Sequence, residues 1–106
     1  MATIQLAELT RGEVRNLSGQ ERGQAARAVF KVDELDKSAE PVLVSVPANV
    51  DTINPSFFRG MFALSILTLG VGGFSNHYIF DATPQVLEQV QQAIKGTIRD
   101  RSQILN

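Results

Sequence analysis

The polar side chains best suited to chemistry lie in one short segment, residues 51–59. Ser56 stands two residues after Asn54, where an apolar run with helical spacing begins. The first backbone amides of a helix point outward and its dipole is positive there, so a phosphate on Ser56 would be stabilised. That phosphate would also add about two negative charges, enough to disrupt a contact with a partner. The segment predicts a partner- or anion-binding surface formed by Asp51, Thr52, Asn54, Ser56 and Arg59, with Ser56 as the phosphorylation candidate.

Each of these residues also has a structural interpretation, which the sequence leaves open. Ser56 is a small polar residue that suits the first turn of a helix. Thr52 is an ordinary β-branched loop residue, and Asp51 could hydrogen-bond the loop amides. Arg59 works against the helix dipole at this end, so it either pairs with an acid, contacts a partner or is simply solvated.

Catalytic and metal chemistry have little support in the sequence. The chain has no cysteine and one histidine, which excludes disulfides, thiolate metal sites, cysteine nucleophiles and sites with a pair of histidines. A triad of Ser56, His77 and either Asp51 or Asp81 can be written, but no nucleophile-elbow motif accompanies it. We expect His77 to be structural, and we expect no enzyme, no cofactor and no metal site.

Composition narrows the remaining classes. The chain has 106 residues, 43% of them hydrophobic and 20% charged, with a net charge of -1. That size suits a single domain, and the charge balance argues against nucleic-acid binding and a polybasic membrane anchor. No signal peptide is evident, and polar residues and glycines interrupt the apolar region 57–74, which predicts a buried helix rather than a membrane span. We expect a cytoplasmic protein.

Three or four strands are predicted. Thr3–Leu6 alternates polar and apolar residues, and the turn signal Arg11-Gly12 makes Glu13–Leu17 a candidate second strand of a hairpin. Val42–Val46, bounded by prolines, indicates a strand covered on both faces. The aromatic and β-branched run His77–Phe80 predicts the last strand.

Three helices are predicted between and after the strands. Ser18 and Glu21 fit a capping box that opens a helix from Gly19 to Asp36, with its charged residues on a solvated face. Its predicted buried stripe consists of Ala25, Ala28, Val29, Val32 and Leu35.

The other two helices each begin with a capping residue followed by proline. Asn54-Pro55 opens the apolar helix, which Gly70 ends, with residues 71–73 as the connection to the next strand. These glycines follow a helix, so they do not form a phosphate-binding loop. Thr83-Pro84 opens a final helix that reaches about Asp100.

The order of elements predicts a single α/β domain over residues 1–106. It has a small, mixed four-stranded sheet and about three helices. Residues 1–17 form the N-terminal strand or hairpin, and residues 101–106 form a frayed tail.

Residues 19–99 resemble the STAS-like domains, relatives of the bacterial anti-sigma factor antagonists and of sulfate-transporter C-terminal domains. The resemblance lies in a hydrophobic strand (41–46), a loop (48–56) and an apolar helix (57–69). A glycine pair, a strand and a last helix opened by Thr83-Pro84 follow.

The loop departs from the antagonist motif Asp-Ser-Ser-Gly. Matching the motifs places Asn54 at the aspartate, Pro55 at the first serine, Ser56 at the phosphorylated serine and Phe57 at the glycine. The sequence is thus closer to a divergent STAS-like group of unknown function. Phe57 is expected to hinder a kinase at Ser56.

The resemblance implies a non-catalytic protein-interaction module in bacterial regulation, with a phospho-switch at Ser56. Its partner would be an anti-sigma factor or a switch-protein kinase. Two alternatives stay open: a domain that binds a small anionic ligand or nucleotide at the start of the Pro55 helix, and a self-associating structural domain, such as a homodimer. Neither nucleic acid nor a membrane is expected as a partner.

Overall fold

The computed structural model describes residues 2–11 and 13–105, with side chains described through Arg99. Short strands and helices alternate along the chain. They are β1 (Ala2–Gln5), α1 (Ala7–Thr10), β2 (Asn16–Leu17), α2 (Gln20–Val29), α3 (Val32–Leu35), β3 (Val42–Ser45), β4 (Thr52–Ile53), α4 (Pro55–His77), β5 (Tyr78–Asp81) and α5 (Pro84–Leu105).

The strands form two small parallel sheets rather than one mixed four-stranded sheet. One sheet has the order β1-β3-β5 and the other pairs β2 with β4. The predicted N-terminal hairpin is wrong because residues 7–10 coil into α1, which ends at Arg11 in the left-handed conformation. The chain has then left β1, and Asn16 pairs with Thr52 instead. Gly12 of the predicted turn lies outside the described residues.

The three-stranded sheet is covered on one face only. Ile4, Val42 and Val44 are buried on the inner face. On the outer face, Leu43 is half-buried and Ile79 is exposed. The prediction that the central strand is covered on both faces is therefore wrong, although its place in the middle of an α/β sheet is confirmed.

The predicted long first helix is two helices, α2 and α3, separated by Lys31 in the left-handed conformation. The predicted buried stripe is largely wrong, since Val29 is 62% exposed whereas Gly23 and Arg27 are buried. Packing decided the buried face: α4 approaches Gly23 so closely that a Cβ there would lie 2.1 Å from the Phe57 carbonyl oxygen.

The predicted capping box of Ser18 and Glu21 does not form. Gly19 is the N-cap of α2, and no side chain caps this helix. Gly19 has a φ of 94°, a conformation open to glycine at little cost, and this lets the chain turn sharply into the helix.

α4 begins as predicted, with Asn54 as the N-cap and Pro55 in the first turn. Gly70 (φ 74°, ψ 169°) interrupts it, also as predicted, but the chain is helical again up to His77. The predicted connection at residues 71–73 is therefore wrong. The renewed helix carries Phe74 into the core, where its ring centroid lies 5.5 Å from that of Phe62.

By length and composition alone, α4 is apolar enough to cross a membrane. A core helix passes the same test, and α4 packs against α2 and α5 in this compact domain. Its buried side chains are Phe57, Phe58, Met61, Phe62, Ser65, Ile66 and Phe74.

α5 begins at the predicted place, where Thr83 Oγ1 accepts a hydrogen bond from the Val86 amide (3.3 Å). Val86 and Val90 on this helix are buried, whereas Leu87 is exposed. The helix extends to Leu105, the predicted fraying of residues 101–106 stays a prediction, and Asn106 lies outside the described residues.

Candidate functional site

Ser56 joins the first turns of two helices. Its hydroxyl accepts a hydrogen bond from the Gly19 amide (3.2 Å) and donates one to Asn54 Oδ1 (2.9 Å). The same Oδ1 accepts from the Ser56 amide (3.1 Å), which is the predicted N-cap. Because Gly19 is the N-cap of α2, the Ser56 hydroxyl lies where the positive ends of both helix dipoles meet.

Two glycines bring these helix ends together. A Cβ on Gly23 would lie 2.1 Å from the Phe57 carbonyl oxygen, and a Cβ on Gly60 would lie 2.2 Å from the Gln20 carbonyl oxygen. No side chain fits between the two backbones, so the first turns of α2 and α4 touch directly. This close approach lets Ser56 reach the Gly19 amide.

The Phe57 side chain is 3% exposed and lies in the core. Ser56 is half-buried and Asn54 and Pro55 are exposed. Phe57 therefore does not lie over the Ser56 hydroxyl, contrary to what its place in the motif led us to expect.

The remaining predicted surface residues divide into two groups. Asp51 Oδ2 lies 3.6 Å from Arg15 Nε, and the two side chains are 55% and 71% exposed. An exposed ion pair of this kind contributes little to stability. The Asp51 and Thr52 amides both donate to the Arg15 carbonyl (2.8 and 3.3 Å), so Asp51 immediately precedes the small β2–β4 sheet and Thr52 begins its second strand. Arg59 Nε instead donates to the Pro55 carbonyl in its own helix (3.4 Å).

Gln89 on α5 hydrogen-bonds to the edge of β4 that does not pair with β2, a contact that the sequence did not predict. Its Oε1 accepts from the Ile53 amide (2.8 Å), and its Nε2 donates to the Asp51 carbonyl (3.5 Å). The side-chain amide thereby takes the place that a neighbouring strand would occupy. The only sequence signal is a run of glutamines, Gln85, Gln89 and Gln92, at helical spacing.

A groove of about 330 Å³ lies between β4, the start of α4 and α5. It brings Thr52 and Asn54 of the predicted surface beside the glutamines of α5. Ser56 does not line this groove. The lining residues are Thr52, Ile53, Asn54, Pro55, Gln85, Glu88, Gln89 and Gln92.

Ser56 and His77 have separate contacts: Ser56 bonds to Gly19 and Asn54, whereas His77 ends the helical segment that follows the break at Gly70. His77 Nε2 lies 2.7 Å from the Leu35 carbonyl oxygen, and its ring packs edge-on against Tyr78. Among the described residues, no hydrogen bond joins His77 to Ser56, Asp51 or Asp81, so neither candidate triad forms. Within residues 2–11 and 13–105, no group of three His, Cys, Asp or Glu side chains could hold a metal ion.

A buried arginine forms the most extensive polar network in the described residues. Arg27 is 8% exposed, and its Nη1 donates to the Met61 carbonyl and to Ser65 Oγ, both at 2.8 Å. Its Nη2 pairs with Asp36 Oδ2 (2.8 Å), and its Nε with Asp33 Oδ1 (2.9 Å). The sequence predicts a solvated face for the charged residues of the predicted first helix, Arg27 and Asp33 among them, and for Arg27 this is wrong.

Tyr78 completes this network by donating its hydroxyl proton to Asp36 Oδ1. Burial, together with the hydrogen bond to the Asp36 carboxylate, raises the pKa of Tyr78 well above its ordinary value. The network joins α2, α3, α4 and β5, so it fixes the helices that position Ser56.

Comparisons of the chain with protein-family models, with curated proteins and with solved structures found no match. The geometry of the site therefore carries the functional argument.

Proposed function

We propose that this protein is a non-catalytic interaction module, similar to the anti-sigma factor antagonists, that phosphorylation of Ser56 switches. The observation that carries the proposal is the place of the Ser56 hydroxyl, between the Gly19 amide and Asn54 Oδ1. The partner surface would comprise the exposed residues around it, including Asn54 and Pro55.

Phosphorylation would change the hydrogen bonding at this place. The Ser56 hydroxyl now donates its proton to Asn54 Oδ1. A phosphate ester has no such proton, so an acceptor would face Oδ1 and the cap of α4 would weaken. The modification would thus act on the contact between α2 and α4 as well as on the charge of the surface.

The residues around Ser56 would stabilise a phosphate once the hydroxyl no longer donates to Asn54. The first-turn amides of α2 begin beside Ser56, and amides at a helix N-terminus bind anions. The side chain of Arg22 packs near Gly19, its Cγ about 3.8 Å from where a Cβ on Gly19 would lie. Arginine is the side chain best suited to bidentate binding of phosphate.

The charge change would be large for this protein. A phosphoserine carries about -2 at neutral pH, whereas the whole chain carries -1. A partner that docks on the unmodified surface around Asn54 and Ser56 would meet a strong local negative charge. We therefore expect the unmodified form to bind and the phosphorylated form to be released.

The first test is intact-mass spectrometry of protein purified from its native cells, with and without phosphatase treatment. We expect one phosphate, mapped to Ser56.

A second test installs phosphoserine at position 56 during synthesis and compares amide NMR spectra, with Thr52 as the matched control position. Phosphoserine at 56 should shift the Gly19 amide and phosphothreonine at 52 should not. An unchanged Gly19 amide would overturn the switch.

A small anionic ligand at the same place is the second candidate, favoured by the two helix N-termini that meet at Ser56. Thermal melting in the presence of inorganic phosphate and a nucleotide panel separates the two. A rise in melting temperature that Ser56→Asp abolishes would favour the ligand, and no rise would favour the switch.

A further inference from the structure

The outer edge of β5 carries unpaired backbone groups. β5 is an edge strand of the sheet β1-β3-β5. The Asp81 carbonyl accepts from the Val46 amide (2.9 Å), so Asp81 and Ile79 direct their backbone groups toward β3. Because backbone groups alternate along a strand, those of Tyr78 and Phe80 point away from the sheet, and Ala82 continues this series.

The free groups on this edge are few and can be named. The Tyr78 amide is already bonded to the Phe74 carbonyl. Within the part of the chain that the structure describes, the Tyr78 carbonyl and both backbone groups of Phe80 and of Ala82 have no hydrogen-bond partner. Two residues further on, Pro84 has no amide proton to offer. An edge with free donors and acceptors is a template for another strand.

We propose that this edge binds the same edge of a second copy of the chain, antiparallel about a two-fold axis at Phe80. In that register the two Phe80 residues exchange both of their hydrogen bonds. Each Ala82 amide then donates to the Tyr78 carbonyl of the second copy. Every free group except the Ala82 carbonyl finds a partner, and the two sheets join into one of six strands.

The pattern of free groups selects this register and a second copy as the occupant. A two-fold axis at Ile79 would direct the Phe80 carbonyl at the Tyr78 amide of the other copy, which Phe74 already occupies. It would also leave both backbone groups of Ala82 unpaired, so it satisfies fewer of the free groups than the axis at Phe80 does. The edge is therefore complementary to itself, as an isologous interface requires.

The side chains along this edge also differ from those of the opposite edge. Ile79 is 44% exposed and lies beside a groove of about 210 Å³ between β5 and α5. β1, the opposite edge, exposes Thr3 and Gln5. Pairing β5 with β5 closes after two copies, whereas pairing β5 with β1 would build an open chain of molecules.

In the proposed register, the sign of a charge introduced at position 79 should determine whether the dimer is weakened or strengthened. Ile79 lies directly opposite Asp81 of the second copy, once on each side of the axis, on the exposed face of the sheet. Ile79→Asp would place like charges in both pairs, whereas Ile79→Lys would place opposite charges there. Thr3→Asp and Thr3→Lys on β1 are the matched controls.

Sedimentation velocity over a wide concentration range, with far-UV circular dichroism to verify folding, measures the dimer. We expect the wild type to dimerise as concentration rises and Ile79→Asp to weaken the dimer about tenfold. Ile79→Lys should dimerise at least as tightly as the wild type, and the Thr3 variants should match it. A wild type that stays monomeric, or a lysine variant weakened like the aspartate variant, would overturn the proposal.

Amide hydrogen exchange locates the interface independently. The Phe80 and Ala82 amides should exchange more slowly as concentration rises, and the Thr3 and Gln5 amides should not change. Dimerisation with slowed exchange at Thr3 and Gln5, or without any change at Phe80 and Ala82, would show that another surface is used. The proposed dimer does not involve Ser56. An experiment can therefore contradict phosphorylation without contradicting self-association, and the reverse.

Discussion

The two ends of the contact between α2 and α4 are built by opposite means. At the N-terminal end, Gly23 and Gly60 let the two backbones touch, with no side chain between them. One helical turn further along α2, Arg27 lies between the same helices and donates to the Met61 carbonyl and to Ser65 Oγ.

One face of α2 thus makes two different kinds of contact with α4. Gly23 and Arg27 are four residues apart and therefore lie on the same face of α2. The glycine end brings two helix N-termini together at Ser56, which is where we propose that phosphorylation acts. At the arginine end the buried guanidinium pairs with Asp36, which also accepts a hydrogen bond from Tyr78, so this end stabilises the fold.

Removing the arginine should have the largest effect on stability. Arg27→Met keeps the bulk of the side chain but leaves the buried Asp36 carboxylate without its cation, at a cost of about 3 kcal/mol in the free energy of unfolding. Urea unfolding followed by far-UV circular dichroism measures it. Arg22→Met, exposed one turn earlier, is the control and should change stability by less than about 0.5 kcal/mol. Equal losses in both variants would contradict a structural role for the buried network.

Filling the glycine contact should have the next largest effect. Gly23→Ala would place a Cβ against the Phe57 carbonyl and force α2 from α4, at a cost of about 2 kcal/mol. It should also alter the amide NMR shift of Gly19, because the contact with Ser56 would lengthen. Gly96→Ala is the matched control: its Cβ would meet nothing within 4 Å, so it should stabilise α5 by about 0.5–1 kcal/mol. If both alanines stabilise the protein, the two backbones do not touch as described.

The smallest of the three effects concerns the tyrosine at the arginine end. The raised pKa of Tyr78 means that the folded state keeps its proton at a pH where the unfolded chain releases it. Its contribution is complete below the ordinary tyrosine pKa of about 10 and is lost as pH rises above it. At neutral pH, Tyr78→Phe should cost about 1–2 kcal/mol, through the lost hydrogen bond to Asp36.

The chain has a single tyrosine, so the ultraviolet absorbance of tyrosinate reports on Tyr78 alone. The folded protein should titrate above the ordinary value, and Asp36→Asn should lower the midpoint, since part of the shift comes from that carboxylate. The pH dependence of stability above about pH 10 should be weaker in Tyr78→Phe. A normal midpoint in the folded wild type would contradict the enclosed network.

The local features of the candidate site were predictable from the sequence. Asn54 caps α4 and Pro55 lies in its first turn because neighbouring residues alone determine an N-cap. The same device at Thr83 opens α5. The break at Gly70 also follows from a local preference, although the renewed helix beyond it depends on burying Phe74.

The contacts between distant segments were not predictable. The hydrogen bond from Gly19 to Ser56 joins residues 37 apart in the chain, and that from Arg27 to Ser65 joins residues 38 apart. Hydrophobic periodicity placed Val29 in the core and Arg27 at the surface, and the structure reverses both. Periodicity counts apolar side chains, whereas this face of α2 is buried through a glycine and a fully paired charge.

The sequence by itself determined where most elements begin, that the strands belong to an α/β domain, and which hydroxyl stands at the start of the apolar helix. These properties depend on residues within a turn or two of one another, where capping and backbone preferences act. Only the tertiary structure decided that the strands separate into two parallel sheets, that α2 meets α4 at two glycines, and that β5 leaves its edge free. Those outcomes depend on how backbones and charges from distant segments fit together, and no local pattern in the chain records that fit.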